Sequence, residues 1–455
     1  MHLLRISPLL LLLLAAAGCS TIGRQLAYDN TVEIAKHPLN DTLEIGWRVK
    51  TFWTEEFVSY WRRYISFPLL TFSGIPELSQ SGEMNPEILV KWLQRKTGAP
   101  VDGDVDLLLN GDTFFPRFSN TVAAATNRID LKTYIFDNDD VAKKYADQLK
   151  ARSLNIPVRI LYDTMGTRMA WRANAPSLPD DFTYEVDDMI RYLAADSKIQ
   201  LSRSKHKLLT SEHSKYFLID NTAFFGGMNI GREYRFDWRD AMFQLNGPVI
   251  NSLNTHFEKE WRHAVSMSRA ANNSSNGKQP DDSQGSLYLV STTPFHSHIY
   301  KSQLRAIKNA TQRIYIENPY LWNQPVLYQL CAARKRGVDV RVTIPREVNH
   351  GIGVSANKRT VKYLLRHGVR VFIYPGMTHV KAAVYDNWAC FGSANFDDLS
   401  LHKNYELNIF TDQNDVVNEI AEELLIDGQK LSTEIFEPDT MSWREFFLAR
   451  FSQYL

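Results

Sequence analysis

"HSKYFLIDNTAFFGGMN", from His213 to Asn229, decides how this chain is read, because "HVKAAVYDNWACFGSAN", from His379 to Asn395, restates it 166 positions later. In both stretches a lysine, an aspartate and an asparagine stand 2, 7 and 16 positions after the histidine. An acid follows at offset 27, Asp240 in "WRDAMF" and Glu406 in "YELNIF". Five polar residues keep identical register while nearly everything between them changes, which marks an internal duplication. A lone His-x-Lys would ordinarily belong to a surface strand; the doubled register points to a site.

Each copy is preceded by the same alternation of elements. "RIDLKTYIF" (Arg128 to Phe136) alternates like a half-buried strand, a helical segment follows, and "IPVRILYD" (Ile156 to Asp163) is a second strand. The second copy runs "RIYIENPYL" (Arg313 to Leu321), a helical "VLYQLCAARKRG" ending in Gly337, then "VDVRVTIP" (Val338 to Pro345). Strand, helix, strand is a βαβ unit, so the expected fold class is α/β, each repeat a mixed or parallel sheet flanked by helices. Val158 to His213 is 55 positions and Val340 to His379 is 39, so the first copy carries an extra segment of 16 residues. The sequence places it in "GTRMAWRANAPSLPDDF" (Gly166 to Phe182), as a loop at the substrate entrance.

"KYFLID" and "KAAVYD" read as strands, on which positions i and i+2 share a face. His213 and Lys215 therefore point the same way, as do His379 and Lys381. Asp220 and Asp386 fall on the other face beside the turn "DN" and are expected to hold neighbouring backbone. Two copies packed about a pseudo-twofold axis bring two histidines, two lysines and the amides of Asn229 and Asn395 around one pocket suited to a phosphodiester. One histidine attacks phosphorus, the other protonates the leaving oxygen, and lysines and amides hold the charge on the nonbridging oxygens. Two lysines make a metal dispensable for that task, so no metal and no cofactor is expected.

HxKxxxxD occurring twice, each time followed by GG or GS and then Asn, resembles the phospholipase D superfamily over residues 107 to about 430. "GGMNIGREYRFDWRD" is similar to the cardiolipin synthase branch of that superfamily. The resemblance implies two phospholipase D-like repeats forming a bilobal αβα sandwich around one active site. It carries over His213, Lys215, Asn229, His379, Lys381 and Asn395 as site residues, with Asp240 and Glu406 orienting the histidines. It makes His213 the nucleophile and His379 the acid. The function implied is a phosphatidyltransferase or phosphodiesterase acting on glycerophospholipids through a phosphohistidine. The gap from the motif aspartate to the glycine pair is five residues here, where six is common in the family; both copies share the shorter turn. Gly227 stands where the second copy has Ser393, so the two halves of the pocket are not equivalent.

The first nineteen residues, "MHLLRISPLLLLLLAAAGC", combine an early Arg5, an apolar run too short to span a bilayer, and small residues ending at Cys19, the pattern of a secretion signal. "AAGCS" resembles a bacterial lipobox, which implies lipidation of Cys19, and Ser20 favours the outer membrane facing the periplasm; an ordinary signal cut near Ala17 is the alternative. Cys331 and Cys390 are then expected as buried free thiols rather than a disulfide. The expected division is a signal peptide at 1–19, a mostly helical region at 20–106, repeats at 107–267 and 287–440, a flexible linker at 268–286 and an amphipathic helix at 441–455. Trp47 to Phe67 and the C-terminal helix each fit core packing, the commoner case, or a membrane interface. "SKHK" (Ser204 to Lys207) reads as a solvated basic loop or a headgroup contact, and His296 and His298 as surface histidines or entrance residues.

With 44% hydrophobic and 23% charged residues among 455 the chain is globular, and its formal charge of +1 gives no basic field for nucleic acid. The expected partners are a phospholipid substrate and, through Cys19, a membrane; the expected state is a monomer. A periplasmic nuclease of the same superfamily and a non-catalytic lipid-binding scaffold are the rival readings.

Overall fold

The computed structural model describes residues 65–79, 82, 84–171, 175–204, 210–266, 285–348, 351–445 and 449. Cys19 and the signal segment, the aromatic stretch from Trp47 through residue 64, residues 268–284 of the linker and Lys205 to Lys207 of "SKHK" lie outside the described residues.

The first half of the chain forms α1 (Phe67–Phe72), α2 (Pro86–Thr97), β1 (Asp104–Leu109), α3 (Asn110–Ala124), β2 (Ile129–Thr133), α4 (Asp140–Ser153), β3 (Val158–Asp163) and α5 (Thr164–Ala170). It continues with α6 (Met189–Ala194), β4 (Gln200–Ser204), β5 (Tyr216–Ile219), β6 (Thr222–Gly226), β7 (Ala241–Asn246) and α7 (Val249–Ser266). The second half forms β8 (Leu287–Thr293), β9 (His296–Ser297), α8 (His298–Asn309), β10 (Arg313–Glu317), α9 (Gln324–Lys335), β11 (Asp339–Pro345) and α10 (Gly351–Arg366). Then come β12 (Arg370–Tyr374), β13 (Ala382–Tyr385), β14 (Trp388–Gly392), α11 (Asp398–His402), β15 (Glu406–Thr411), α12 (Asn414–Glu419), α13 (Asp427–Lys430) and β16 (Thr433–Ile435).

Two mixed sheets result, a seven-stranded one in the order β1-β7-β6-β5-β2-β3-β4 and a nine-stranded one in the order β16-β12-β11-β10-β13-β14-β15-β8-β9. Read from β8, the second repeats the first strand for strand, β8-β15-β14-β13-β10-β11-β12, with β9 and β16 added at its edges. The βαβ patterning appears as parallel β2–β3–β4 and β10–β11–β12, whereas the motif strands run antiparallel to β2 and β10.

The inner faces of the sheets share one core, in which Tyr216, Leu218, Phe225 and Phe243 meet Val384, Ala389, Phe391 and Ile409. The Phe243 and Phe391 rings lie 4.0 Å apart. Each outer face is covered by its own helices in a separate core, α3, α4 and α6 over the first sheet and α8, α9 and α10 over the second. The α/β sandwich of two repeats expected from the duplicated sequence is therefore present. Apolar burial of this kind supplies the main drive for the packing.

Three details differ from the sequence reading. First, β1 is a strand the sequence reading did not name, since the closing leucines of "DVDLLL" mask the alternation with which it opens. Second, the extra length of the first repeat is split. Between β3 and β4 lie 36 residues against 24 between β11 and β12, and between β4 and His213 lie 8 against 4 between β12 and His379. Third, part of "GTRMAWRANAPSLPDDF" is helix α5, since Asp163 caps it by accepting from Gly166 N at 2.8 Å.

α1 and α2 pack against the second repeat, where Phe67, Leu89, Trp92 and Leu93 join its outer core. In the C-terminal segment, residues 443–445 are helical and tied to α10. Lys358 pairs with Glu445 at 2.7 Å, Arg359 donates to Ala449 O at 2.7 Å, and Trp443 stays exposed. Cys331 and Cys390 are buried free thiols. His296 and His298 stack on each other at edge strand β9, with His298 edge-on to Trp92, so they belong to the rim of the second sheet. Among the described residues no helix is long and apolar enough to cross a membrane.

Candidate active site

Regular strand begins one residue after each motif lysine, at Tyr216 and Ala382, later than the sequence pattern indicated. The alternation nevertheless extends back, because Gly226 N donates to Lys215 O and Gly392 N to Lys381 O, both at 3.3 Å. Gly is required there: a Cβ on Gly226 would come within 2.5 Å of Ala241 O, and one on Gly392 within 2.4 Å of Leu407 O. Histidine and lysine share a side, and each ammonium folds back onto the carbonyl of its own histidine, Lys215 Nζ at 2.5 Å and Lys381 Nζ at 2.6 Å.

The two repeats exchange partners at the site. Glu212 forms a parallel bridge with Tyr405, and Arg239 with Thr378. His213 N donates to Tyr405 O at 2.9 Å and His379 N to Arg239 O at 2.6 Å. One residue on, Glu406 Oε1 lies 2.9 Å from His213 Nδ1, and Asp240 Oδ2 lies 2.7 Å from His379 Nδ1. Each acid thus holds the histidine of the other repeat. Equal offsets within a copy say nothing about which copy supplies the partner, so sequence alone left this open.

The Gly227/Ser393 difference follows from the acids' lengths. A Cβ on Gly227 would sit 2.5 Å from Asp240 Oδ1, so the short aspartate needs the bare backbone. The longer Glu406 leaves room for Ser393, whose hydroxyl donates to Glu406 Oε2 at 2.5 Å.

Asp220 and Asp386, at φ +51°, turn their carboxylates onto the start of the neighbouring strand. Asp220 accepts from the N–H groups of Thr126, Asn127 and Arg128, and Asp386 from those of Thr311, Gln312 and Arg313. They therefore lie away from the pocket, tying β2 and β10 to the turns after β5 and β13. The asparagines are placed less alike than the repeat implied. Asn229 accepts from Ile135 N at 2.9 Å and donates to Tyr234 Oη at 2.8 Å, whereas Asn395 Oδ1 is buried without a hydrogen-bond partner among the described residues.

Two buried ion-pair clusters, one in each repeat, have no signature in the motif. Lys132 contacts Glu212 at 2.6 Å and Glu260 at 2.5 Å, while at the matching place in the second repeat Glu317 takes Arg239 at 3.2 Å and the Thr378 hydroxyl at 2.5 Å. Charged residues inside the strands "IDLKT" and "RIYIE" were the available signal. Tyr134 stands edge-on to His213 at 4.8 Å, and Trp238 and Tyr234 flank His379 at 5.2 and 5.6 Å.

Burial dominates the electrostatics. It lowers Lys215 to about 7 and Lys381 to about 8, against the partial support of Glu406 and Asp240. It lowers both imidazoles, His379 well below the ordinary range with Lys381 and Lys215 adding to the effect. Burial pushes Asp240 up to about 7. Burial would raise Glu406 as well, but the His213 imidazole, Lys215 and the Ser393 hydroxyl outweigh it and hold that carboxyl down. Groups from both repeats feel each other's charges, so this is one site with two unlike halves.

Paired imidazoles braced by carboxylates, with two buried ammoniums between two duplicated sheets, define a phosphodiester-transferring enzyme of the phospholipase D superfamily. The family model described as "Cardiolipin synthase, PLD-like domain" matches residues 119–261 and 304–426, and the chain belongs to that family. It is similar to the major cardiolipin synthase of Bacillus subtilis (strain 168), 29% identical over 346 residues that cover 71% of this chain and 70% of the relative. Cardiolipin synthase A of Pseudomonas fluorescens (strain SBW25) is 28% identical over 357 residues, 75% of this chain and 72% of the relative. Among solved structures the phosphatidylserine synthase of Haemophilus influenzae Rd KW20 shares the fold, with a TM-score of 0.62 and 11% identity over 81% of this chain and 98% of that one.

Proposed function

We propose that the chain transfers a phosphatidyl group from one glycerophospholipid to a hydroxyl acceptor, as a cardiolipin synthase-like phosphatidyltransferase with a phosphohistidine intermediate. The observation that carries this is the crossed pair of histidine–carboxylate contacts, whose two halves are poised differently. Glu406, held ionised with Oε1 2.9 Å from His213 Nδ1, favours the proton on that nitrogen, which leaves the Nε2 lone pair of a neutral imidazole free to attack phosphorus. In the other half the raised Asp240 and lowered His379 share a proton across their 2.7 Å contact. With that proton between Oδ2 and Nδ1, His379 carries its own on Nε2 and can give it up without passing through a buried imidazolium.

In the first step His213 Nε2 bonds to phosphorus, the bond to the leaving alcohol breaks, and His379 Nε2 supplies that alcohol's proton. In the second, His379 takes the proton of the acceptor hydroxyl, the acceptor oxygen bonds to phosphorus and the P–N bond breaks. Lys215 and Lys381, desolvated by burial, gain a counter-charge when the phosphodiester enters and hold its nonbridging oxygens. An Asn395 side-chain N–H turned into the site would donate to one of them. A lipid at Cys19 would keep the enzyme on the membrane that contains its substrate; a correctly processed Cys19→Ala chain should then lose membrane attachment.

Purified protein incubated with phosphatidylglycerol and phosphatidylethanolamine, with and without glycerol, tests the reading. Cardiolipin among the products supports transfer, and phosphatidic acid alone means hydrolysis. Intact lipids alongside cleaved single-stranded DNA would make the protein a nuclease.

A further inference from the structure

A cleft of about 250 Å³ opens between β3, α5, α6 and β4, lined by Tyr162, Thr164, Arg168, Arg191 and Arg203 among others. At ~30 Å³ per water it holds on the order of eight waters, enough for a polar headgroup and too little for an acyl chain. It shares a wall with the histidine pocket. Thr167 of its lining donates to Tyr134 O at 3.3 Å, and the Tyr134 ring stands 4.8 Å from the His213 ring. Asp163, the residue before Thr164, accepts from Glu212 N, next to His213, at 2.9 Å.

The chemistry of the lining is one-sided. Three guanidiniums face one small space, and none has a hydrogen-bond or carboxylate partner among the described residues. The one acid there, Asp188, is engaged in capping α6 through Arg191 N at 2.9 Å. The Thr164 hydroxyl is buried with no partner among the described residues, and so is that of Ser204 beside Arg203. Burial raises the Tyr162 phenol, with Arg203 and Arg168 opposing that rise from close by. Three guanidiniums around one cleft, with no carboxylate paired to them among the described residues, suit an anion with several oxygens, and their planar forks match a phosphate.

We propose that this cleft is where the acceptor phospholipid is held by its phosphate during the transfer step. The proposal rests on the phosphatidyltransferase reading and gives its acceptor a place. Holding the acceptor by its phosphate beside His213 lets its hydroxyl outcompete water for the phosphohistidine, which sets the ratio of transfer to hydrolysis.

The test compares the full chain with its Arg168→Gln/Arg191→Gln/Arg203→Gln variant on phosphatidylglycerol vesicles. All three arginines are exposed, so the fold should survive, and a thermal melt checks it. The ratio of cardiolipin to phosphatidic acid should fall about tenfold or more, the scale of one lost charge-assisted contact, with a raised KM for the acceptor. The corresponding Arg→Lys variant should recover part of the ratio because it keeps the charge. Arg262→Gln, on α7 and outside the cleft lining, should match wild type. A wild-type ratio in a folded triple variant overturns the proposal while transfer stands. A wild-type enzyme that yields only phosphatidic acid overturns transfer and subsite together. If the variants differ only when inorganic phosphate is added, the cleft is a site for free phosphate and the lipid assignment is wrong.

Discussion

Gly227→Ala puts one methyl group where Asp240 has to be. The new Cβ would lie 2.5 Å from Asp240 Oδ1 and 3.2 Å from its Cγ, against 3.4 Å for ordinary contact, so roughly 0.9 Å must be found. Asp240 is fully buried and held from both sides, its Oδ1 by Ala241 N at 2.8 Å and its Oδ2 by His379 Nδ1 at 2.7 Å. The carboxylate can yield only by turning off the histidine. A displacement near 1 Å in a catalytic group costs about 10²-fold in rate, while overpacking of this size costs about 1–3 kcal/mol of stability. Steady-state lipid turnover with a parallel melt separates the two effects. The loss should be smaller on a p-nitrophenyl phosphodiester, whose leaving group needs no proton from His379. Gly227→Ser combined with Asp240→Glu copies the Ser393/Glu406 arrangement and should restore much of the rate. Wild-type turnover by folded Gly227→Ala would refute the claim that Asp240 works through this contact.

Activity should survive EDTA, because Lys215 and Lys381 neutralise the phosphodiester; loss on chelation with rescue by a divalent ion would contradict that account. With Lys215 lowered to about 7 and Lys381 to about 8, the ammonium forms prevail below those values and are lost above them. The phosphodiester stays anionic throughout, so kcat/KM should decline as pH rises through about 7 to 8, and a profile flat to the range of an ordinary lysine would tell against it. Asp386→Ala strands three backbone N–H groups and should cost about 3 kcal/mol in a denaturant melt while the folded fraction keeps its turnover; loss of turnover without loss of stability would place Asp386 in the chemistry.

The repeated register made much of this legible. Polar residues at equal offsets in two βαβ contexts require two similar sheets, and the turn aspartates could be separated from the pocket by strand parity alone. The exchange of acids between repeats was not legible, since it depends on Glu212 and Thr378 bridging to strands of the opposite half. The ion pairs of Lys132 and Glu317 were hidden for a different reason: opposite charges occupy one structural place, so alignment of the copies shows a mismatch where the fold has a match. The arginine cleft draws on Arg168, Arg191 and Arg203, which are scattered along the first repeat and have no counterpart spacing in the second. The extra length of that repeat was counted correctly and located only in part, because helix α5 and the approach to His213 divide it.

The proposed division of labour, with the phosphoryl group on His213 and the proton on His379, is decided by mixing His379→Ala with a p-nitrophenyl phosphodiester and mapping the trapped adduct. A burst of nitrophenolate, a stable phosphohistidine at His213 and neither signal in His213→Ala is the predicted result. A burst in His213→Ala with the label on His379 would contradict it.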